Sequence, residues 1–166
     1  MAAQVNRGFR FVKNLYGGPP LVFSKKLGTG RTVYPGNLIV VGATVPTWMS
    51  LAVEASTALA GVVQAYTVMT ASQASEIQFI PFLPGYVFEV KNTNGMTASK
   101  AGRFIGSYVD LEIPTATYHR VDTGASTKTL MCMGVHPDDE GDTGIDKRLW
   151  VTIVPTKSNI VGTDNA

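Results

Sequence analysis

Turn signals cut this chain into pieces no longer than a β-strand. Tyr34-Pro35-Gly36-Asn37, Pro84-Gly85 and Asn92-Thr93-Asn94-Gly95 are strong chain-reversal sequences. Proline presets φ at about −65°, and glycine or asparagine supplies the positive φ that a tight turn needs. Between the turns lie short runs rich in β-branched and aromatic residues: 38–41, 77–83, 86–91, 129–135 and 149–154. Leu38-Ile39-Val40-Val41 is apolar throughout, the pattern of a strand in the core. The Asn-Gly pair after 86–91 predicts a tight hairpin. Arg10-Phe11-Val12, Leu21-Val22-Phe23 and residues 48–54, 59–68 and 104–112 read as further extended segments. A helix over 48–60 competes, since its apolar residues also fit one helical face, but β-branched and turn residues hem it in. Short strands at this spacing predict an all-β fold, a jelly-roll-like sandwich or barrel. No internal repeat of useful length is visible.

Charge is sparse and unevenly placed. Only 16% of the residues are charged, which leaves surface for a partner to cover. No acidic residue precedes Glu54, whereas Arg7, Arg10, Lys13, Lys25, Lys26 and Arg31 all do. Gly17-Gly18-Pro19-Pro20 interrupts that basic stretch with a turn and an enforced extended backbone. Residues 1–32 are therefore expected to form a basic, extended N-terminal arm, followed by a β-sandwich or barrel domain over 33–166. Such an arm would lie across an adjacent subunit, with Phe9, Phe11 and Tyr16 supplying burial and the six cations setting register against carboxylates. The N-terminus lacks the apolar region of a signal peptide, and no apolar run approaches the ~18 residues of a membrane span. Those features, with Cys132 as the single cysteine, predict a soluble protein made in a cytoplasm without an intrachain disulfide.

Chemical motifs are weak. Gly28-Thr29-Gly30-Arg31-Thr32 lacks the Gly-Lys-Ser/Thr ending of a phosphate-binding loop and reads as a flexible turn. His119 and His136 are the only histidines, with neither a nucleophile elbow nor a His-Glu-x-x-His pattern around them. Cys132 paired with His136 would make a nucleophile and base. Its setting, Leu130-Met131-Cys132-Met133, is instead that of a buried strand, where cysteine acts as a small hydrophobe. The acids Asp138, Asp139, Glu140, Asp142 and Asp146 could supply oxygens to a cation, but their spacing is not that of a calcium loop, and a solvated turn is favoured. No catalytic residue, metal or cofactor is expected. Phe9, Arg10, Phe11, Lys13 and Tyr16 interleave aromatic and basic residues as single-strand nucleic-acid binders do. The acidic remainder and a pI of only 8.7 count against nucleic acid as the partner.

Several stretches together carry a family likeness: Val33-Tyr34-Pro35-Gly36-Asn37-Leu38-Ile39-Val40 leading to Leu59-Ala60-Gly61-Val62-Val63, then 101–111, 133–139 and the closing Leu149-Trp150-Val151-Thr152-Ile153. This set resembles the small β-rich decoration, or cement, proteins of tailed-bacteriophage heads. Asn37 stands where those proteins usually have aspartate after the Pro-Gly, and the basic stretch before Val33 lies outside the pattern. The resemblance implies a homotrimer on the exterior of a virion, bound to the major capsid protein and clamping neighbouring copies against internal pressure. A receptor- or carbohydrate-binding module of a virion and a single-strand nucleic-acid-binding barrel are the alternatives.

Overall fold

The computed structural model describes residues 8–28, 32–41, 48–56, 58–68, 75–92, 105–115, 118–122, 128–139 and 147–158. Among them there are thirteen strands: β1 (Arg10–Asn14), β2 (Phe23–Leu27), β3 (Thr32–Val33), β4 (Leu38–Val41), β5 (Trp48–Leu51), β6 (Gly61–Val63), β7 (Thr67–Val68), β8 (Ser75–Pro81), β9 (Tyr86–Lys91), β10 (Tyr108–Thr115), β11 (Tyr118–Asp122), β12 (Leu130–Val135) and β13 (Arg148–Ile153). The helices among these residues are two single 3-10 turns, at Pro137–Asp139 and Pro155–Lys157. The chain is therefore all-β, and the segment 48–51 is strand and not helix.

The first part of the chain closes a five-stranded barrel in the order β2-β5-β4-β6-β8, with β3 and β7 as a separate two-stranded ribbon. Leu27, Val33, Ile39, Met49, Ala60, Val63, Ile77 and Phe79 make one core cluster. The second part forms a six-stranded sheet, β1-β9-β13-β12-β10-β11. A parallel bridge from Asn92 to Val121 brings β11 back against the end of β9, so this sheet curls toward a barrel of its own. Phe88, Val90, Val109, Leu111, Val121, Leu130, Cys132, Leu149, Val151 and Ile153 belong to a second cluster. Leu38, Val62 and Ile80, on the opposite side of their strands from the first core, join that same cluster, so the two units share an apolar seam.

The two units repeat one another in register. Strands β2, β4, β5, β6 and β8 correspond in order to β9, β10, β11, β12 and β13, and each neighbour relation recurs with the same sense. The parallel contact Leu27↔Met49 matches Asn92↔Val121. The antiparallel pairs Val41↔Met49 and Leu111↔Val121 match, as do Ile39↔Gly61 and Val109↔Leu130. Val63↔Phe79 and Phe23↔Phe79 match Cys132↔Val151 and Phe88↔Val151. The turns entering β4 and β10 are equivalent too, with Gly36 at φ 88° and Gly106 at φ 81°. Gly36 N donates to Val63 O (2.9 Å), and Val63 N to Asn37 O (2.9 Å); Gly106 N donates to Cys132 O (2.8 Å), and Cys132 N to Ser107 O (2.9 Å). The repeat missing from the sequence is thus present in the backbone.

The Pro-Gly turns form as expected: Asn37 N donates to Tyr34 O at 3.0 Å, and Tyr86 N to Leu83 O at 3.1 Å. The second does not make a hairpin, because it carries the chain from the first barrel (β8) to the second sheet (β9). Of the hairpin turn expected after β9, Thr93, Asn94 and Gly95 lie outside the described residues, and β9 pairs with β1 and β13, not with β10. The free N-terminal arm is corrected more substantially. Strand β1 adds to β9, and β2 closes the first barrel against β8 and β5. The cause is apolar: Phe9 packs edge-on to Phe82, Phe11 covers Tyr86 and Phe88, and Leu27 is fully buried in its own barrel.

Candidate binding surface

On the outer face of the second sheet, the register Arg10↔Glu89↔Trp150↔Gly134 lays one row of side chains across four strands. Glu89 is only 2% exposed. Arg10 Nη2 donates to its Oε1 at 2.9 Å, and His136 Nε2 lies 3.7 Å from its Oε2. Gly134 lies under the Trp150 ring, 3.7 Å from where a Cβ would stand, which is ordinary van der Waals contact. Lys13 Nζ sits 5.2 Å from the centre of that ring, and His136 meets it edge-on at 6.1 Å. One turn away, Arg148 donates from Nε and Nη2 to the two carboxylate oxygens of Asp139, at 2.9 and 3.1 Å, and from Nη2 to Asp138 at 3.2 Å. The bidentate guanidinium holds Asp139 below its ordinary carboxylate range, and the same bonds push Arg148 upward.

At the edge of this face β1 ends in a tight tip. Leu15 N donates to Gly85 O at 2.9 Å, while Asn14 Oδ1 accepts from Tyr16 N at 3.0 Å. The Tyr16 ring lies over Gly85, where a Cβ would come within 2.3 Å of the ring as it stands. Tyr16 is nevertheless 81% exposed, and Leu15 beside it is also exposed. An exposed aromatic beside an apolar neighbour, at the end of a strand that carries Arg10 and Lys13, has the make-up of an interface anchor.

The residues expected to face a partner are therefore divided. Arg10 and Lys13 lie on this face and Tyr16 at the tip beyond it; Phe9 and Phe11 are core or core-covering; Lys25 and Lys26 are exposed on β2. Arg7 and Arg31 lie outside the described residues. Glu89, Arg148 and Trp150 were not expected. The lone acid within the apolar run Tyr86-Val87-Phe88-Glu89-Val90 is the one sequence signal that could have drawn attention to Glu89.

The chemical candidates are not brought together. Cys132 is buried, its Sγ donating to Gly134 O at 3.5 Å, and burial raises its thiol pKa; His136 turns to Glu89 and Asp138 instead. Asp138 and Asp139 are engaged by Arg148, while Glu140, Asp142 and Asp146 lie outside the described residues. No three His, Cys, Asp or Glu residues form a metal-type cluster among the described residues. His119 is buried and accepts a hydrogen bond at Nδ1 from Leu38 N (3.0 Å), tying β11 to the turn of the first barrel. A cavity of about 530 Å³ beside it is lined by Leu51, Ala52, Val53, Glu54, Ala55, Ile113 and His119. No helix among the described residues is long and apolar enough to cross a membrane. The chain matches no protein-family model, and no curated sequence matches it.

Proposed function

We propose that this protein is a capsid decoration protein, held on the outside of a phage head by the Leu15–Tyr16 tip and the adjoining face of β1. The observation that carries the proposal is Tyr16, its backbone held by the turn and its ring lying over Gly85, yet left 81% exposed. Ordering an aromatic before binding reduces the entropy lost on association, and aromatics so placed dominate interface energies. Lys13, exposed on the same strand, favours an acidic surface on the major capsid protein, chiefly through rate and register. The lectin-like alternative predicts an aromatic-lined pocket on a monomer or at a subunit seam, and the described lining of the cavity beside His119 includes no Phe, Tyr or Trp.

The test uses undecorated shells and purified protein. Decorated shells should open at higher temperature than bare ones. Tyr16→Ala should weaken binding about 30-fold, the equivalent of about 2 kcal/mol for an anchor residue, without changing the melting of the free protein. Equal opening temperatures with and without the protein would rule out decoration.

A further inference from the structure

The cavity of about 530 Å³ beside His119 shares no residue with the Leu15–Tyr16 tip and takes no part in the function proposed above. It lies at the seam of the two units. One wall comes from Leu51 at the end of β5 and the turn that follows it, the other from Ile113 of β10 and His119 of β11. The turn is closed in both directions: Ser56 N donates to Val53 O at 2.8 Å, and Val53 N to Ser56 Oγ at 3.0 Å. Glu54 Oε1 accepts from Ile113 N at 3.1 Å and so ties one wall to the other. Walls held in this way make a preformed site, and ligand sites are mostly apolar hollows of this size with a few placed polar groups.

His119 is the group that points to a ligand. It is 1% exposed, and Nδ1 accepts from Leu38 N, so the proton of the neutral ring stands on Nε2. Burial lowers the pKa to about 4, which keeps the ring neutral at physiological pH. Among the described residues Nε2 has no acceptor. The unpartnered side-chain atoms sealed inside protein are Asn37 Nδ2 and Trp150 Nε1, so the Nε2–H edge opens on the cavity that the ring lines. Water can serve this donor, but an apolar molecule carrying an acceptor serves it and covers the surrounding wall as well.

We infer that the cavity takes an uncharged, mainly apolar small molecule whose carbonyl or ether oxygen accepts from His119 Nε2. Glu54 in the lining repels an anion, and a neutral imidazole offers an anion no countercharge. A cation brings donors, which Nε2–H cannot accept. A sugar would bury hydroxyls that the two polar side chains of the described lining cannot satisfy.

The probe is 6-propionyl-2-dimethylaminonaphthalene, a neutral ketone whose emission moves to the blue on leaving water, titrated with the full chain. Binding should saturate at one site with Kd on the order of 100 μM, the strength ordinary for a ligand of this size. Ala55→Trp, at an exposed position of the lining, should fill the hollow and weaken binding about tenfold or more without changing the melting of the protein. The matching anion, 6-dimethylamino-2-naphthoate, should bind the natural protein about tenfold more weakly or not at all. In nitrogen-15 spectra of the natural protein, saturation with the ketone should shift the His119 Nε2–H resonance, a readout that stands if Ala55→Trp does not fold. Absence of saturable binding, equal affinity for ketone and naphthoate, equal affinity in folded Ala55→Trp, or an unmoved His119 imidazole would each overturn the inference.

Discussion

Acidification should destabilise the fold through His119 in particular. The imidazole is 1% exposed, accepts at Nδ1 from Leu38 N, and has its pKa lowered from 6.5 to about 4 by burial. Because the folded-state pKa is the lower one, the unfolded chain takes up a proton that the folded chain refuses as pH falls from 6.5 toward 4. Stability is therefore fully present above the unfolded value, is lost through that window, and levels off once the folded imidazole also protonates. A displacement of this size corresponds to about 3 kcal/mol, a large fraction of the ~5–15 kcal/mol typical of a domain. The assay is chemical denaturation at intervals between pH 7 and pH 4 for the natural protein and for His119→Asn. The asparagine can offer an acceptor to Leu38 N but cannot titrate. The variant should lose about 1 kcal/mol at pH 7 and then lack the His119 component of the slope. Parallel pH profiles for the two proteins would show that His119 does not carry the acid sensitivity.

The equivalent turn glycines should respond unequally to alanine. Gly36→Ala must adopt positive φ and place a Cβ 2.9 Å from Phe9 N, whereas the Cβ of Gly106→Ala meets nothing within 4 Å. Thermal or chemical melts should show a loss of about 1–2 kcal/mol for Gly106→Ala and a larger one for Gly36→Ala. Cys132, buried with its thiol pKa raised, should resist a thiol reagent at pH 8 and react once the chain is unfolded; rapid labelling of the native protein would contradict its placement.

The parts of the fold legible in the sequence are those decided over four to eight residues. The Tyr34–Asn37 and Leu83–Tyr86 turns follow from where proline and glycine stand, and the strand at 86–91 matches its pattern residue for residue. Pairing is not legible, because it joins residues far apart. Arg10 has no acid near it in sequence, yet its carboxylate partner is 79 positions away in Glu89. The arm reads as extended and lone for the same reason. Nothing adjacent in sequence needs Phe9 and Phe11, while Phe82, Tyr86 and Phe88 do.

The hidden repeat has a physical cause as well. A barrel position asks only that a side chain suit its side of the strand and the space there, so equivalent sites can diverge widely. Phe23 and Phe88 remain alike, but Lys25 stands where the second unit has Val90, and Gly61 where it has Leu130. Gly61 is required because a Cβ would come 2.5 Å from the Phe79 ring, whose bulk fills the first barrel where the smaller Val151 stands in the second. Lys25 marks the point where the units part in use. At Val90 an apolar side chain is sealed inside the core, whereas the lysine at the matching place is exposed, its ammonium kept in water while its backbone pairs with Ile77 of β8.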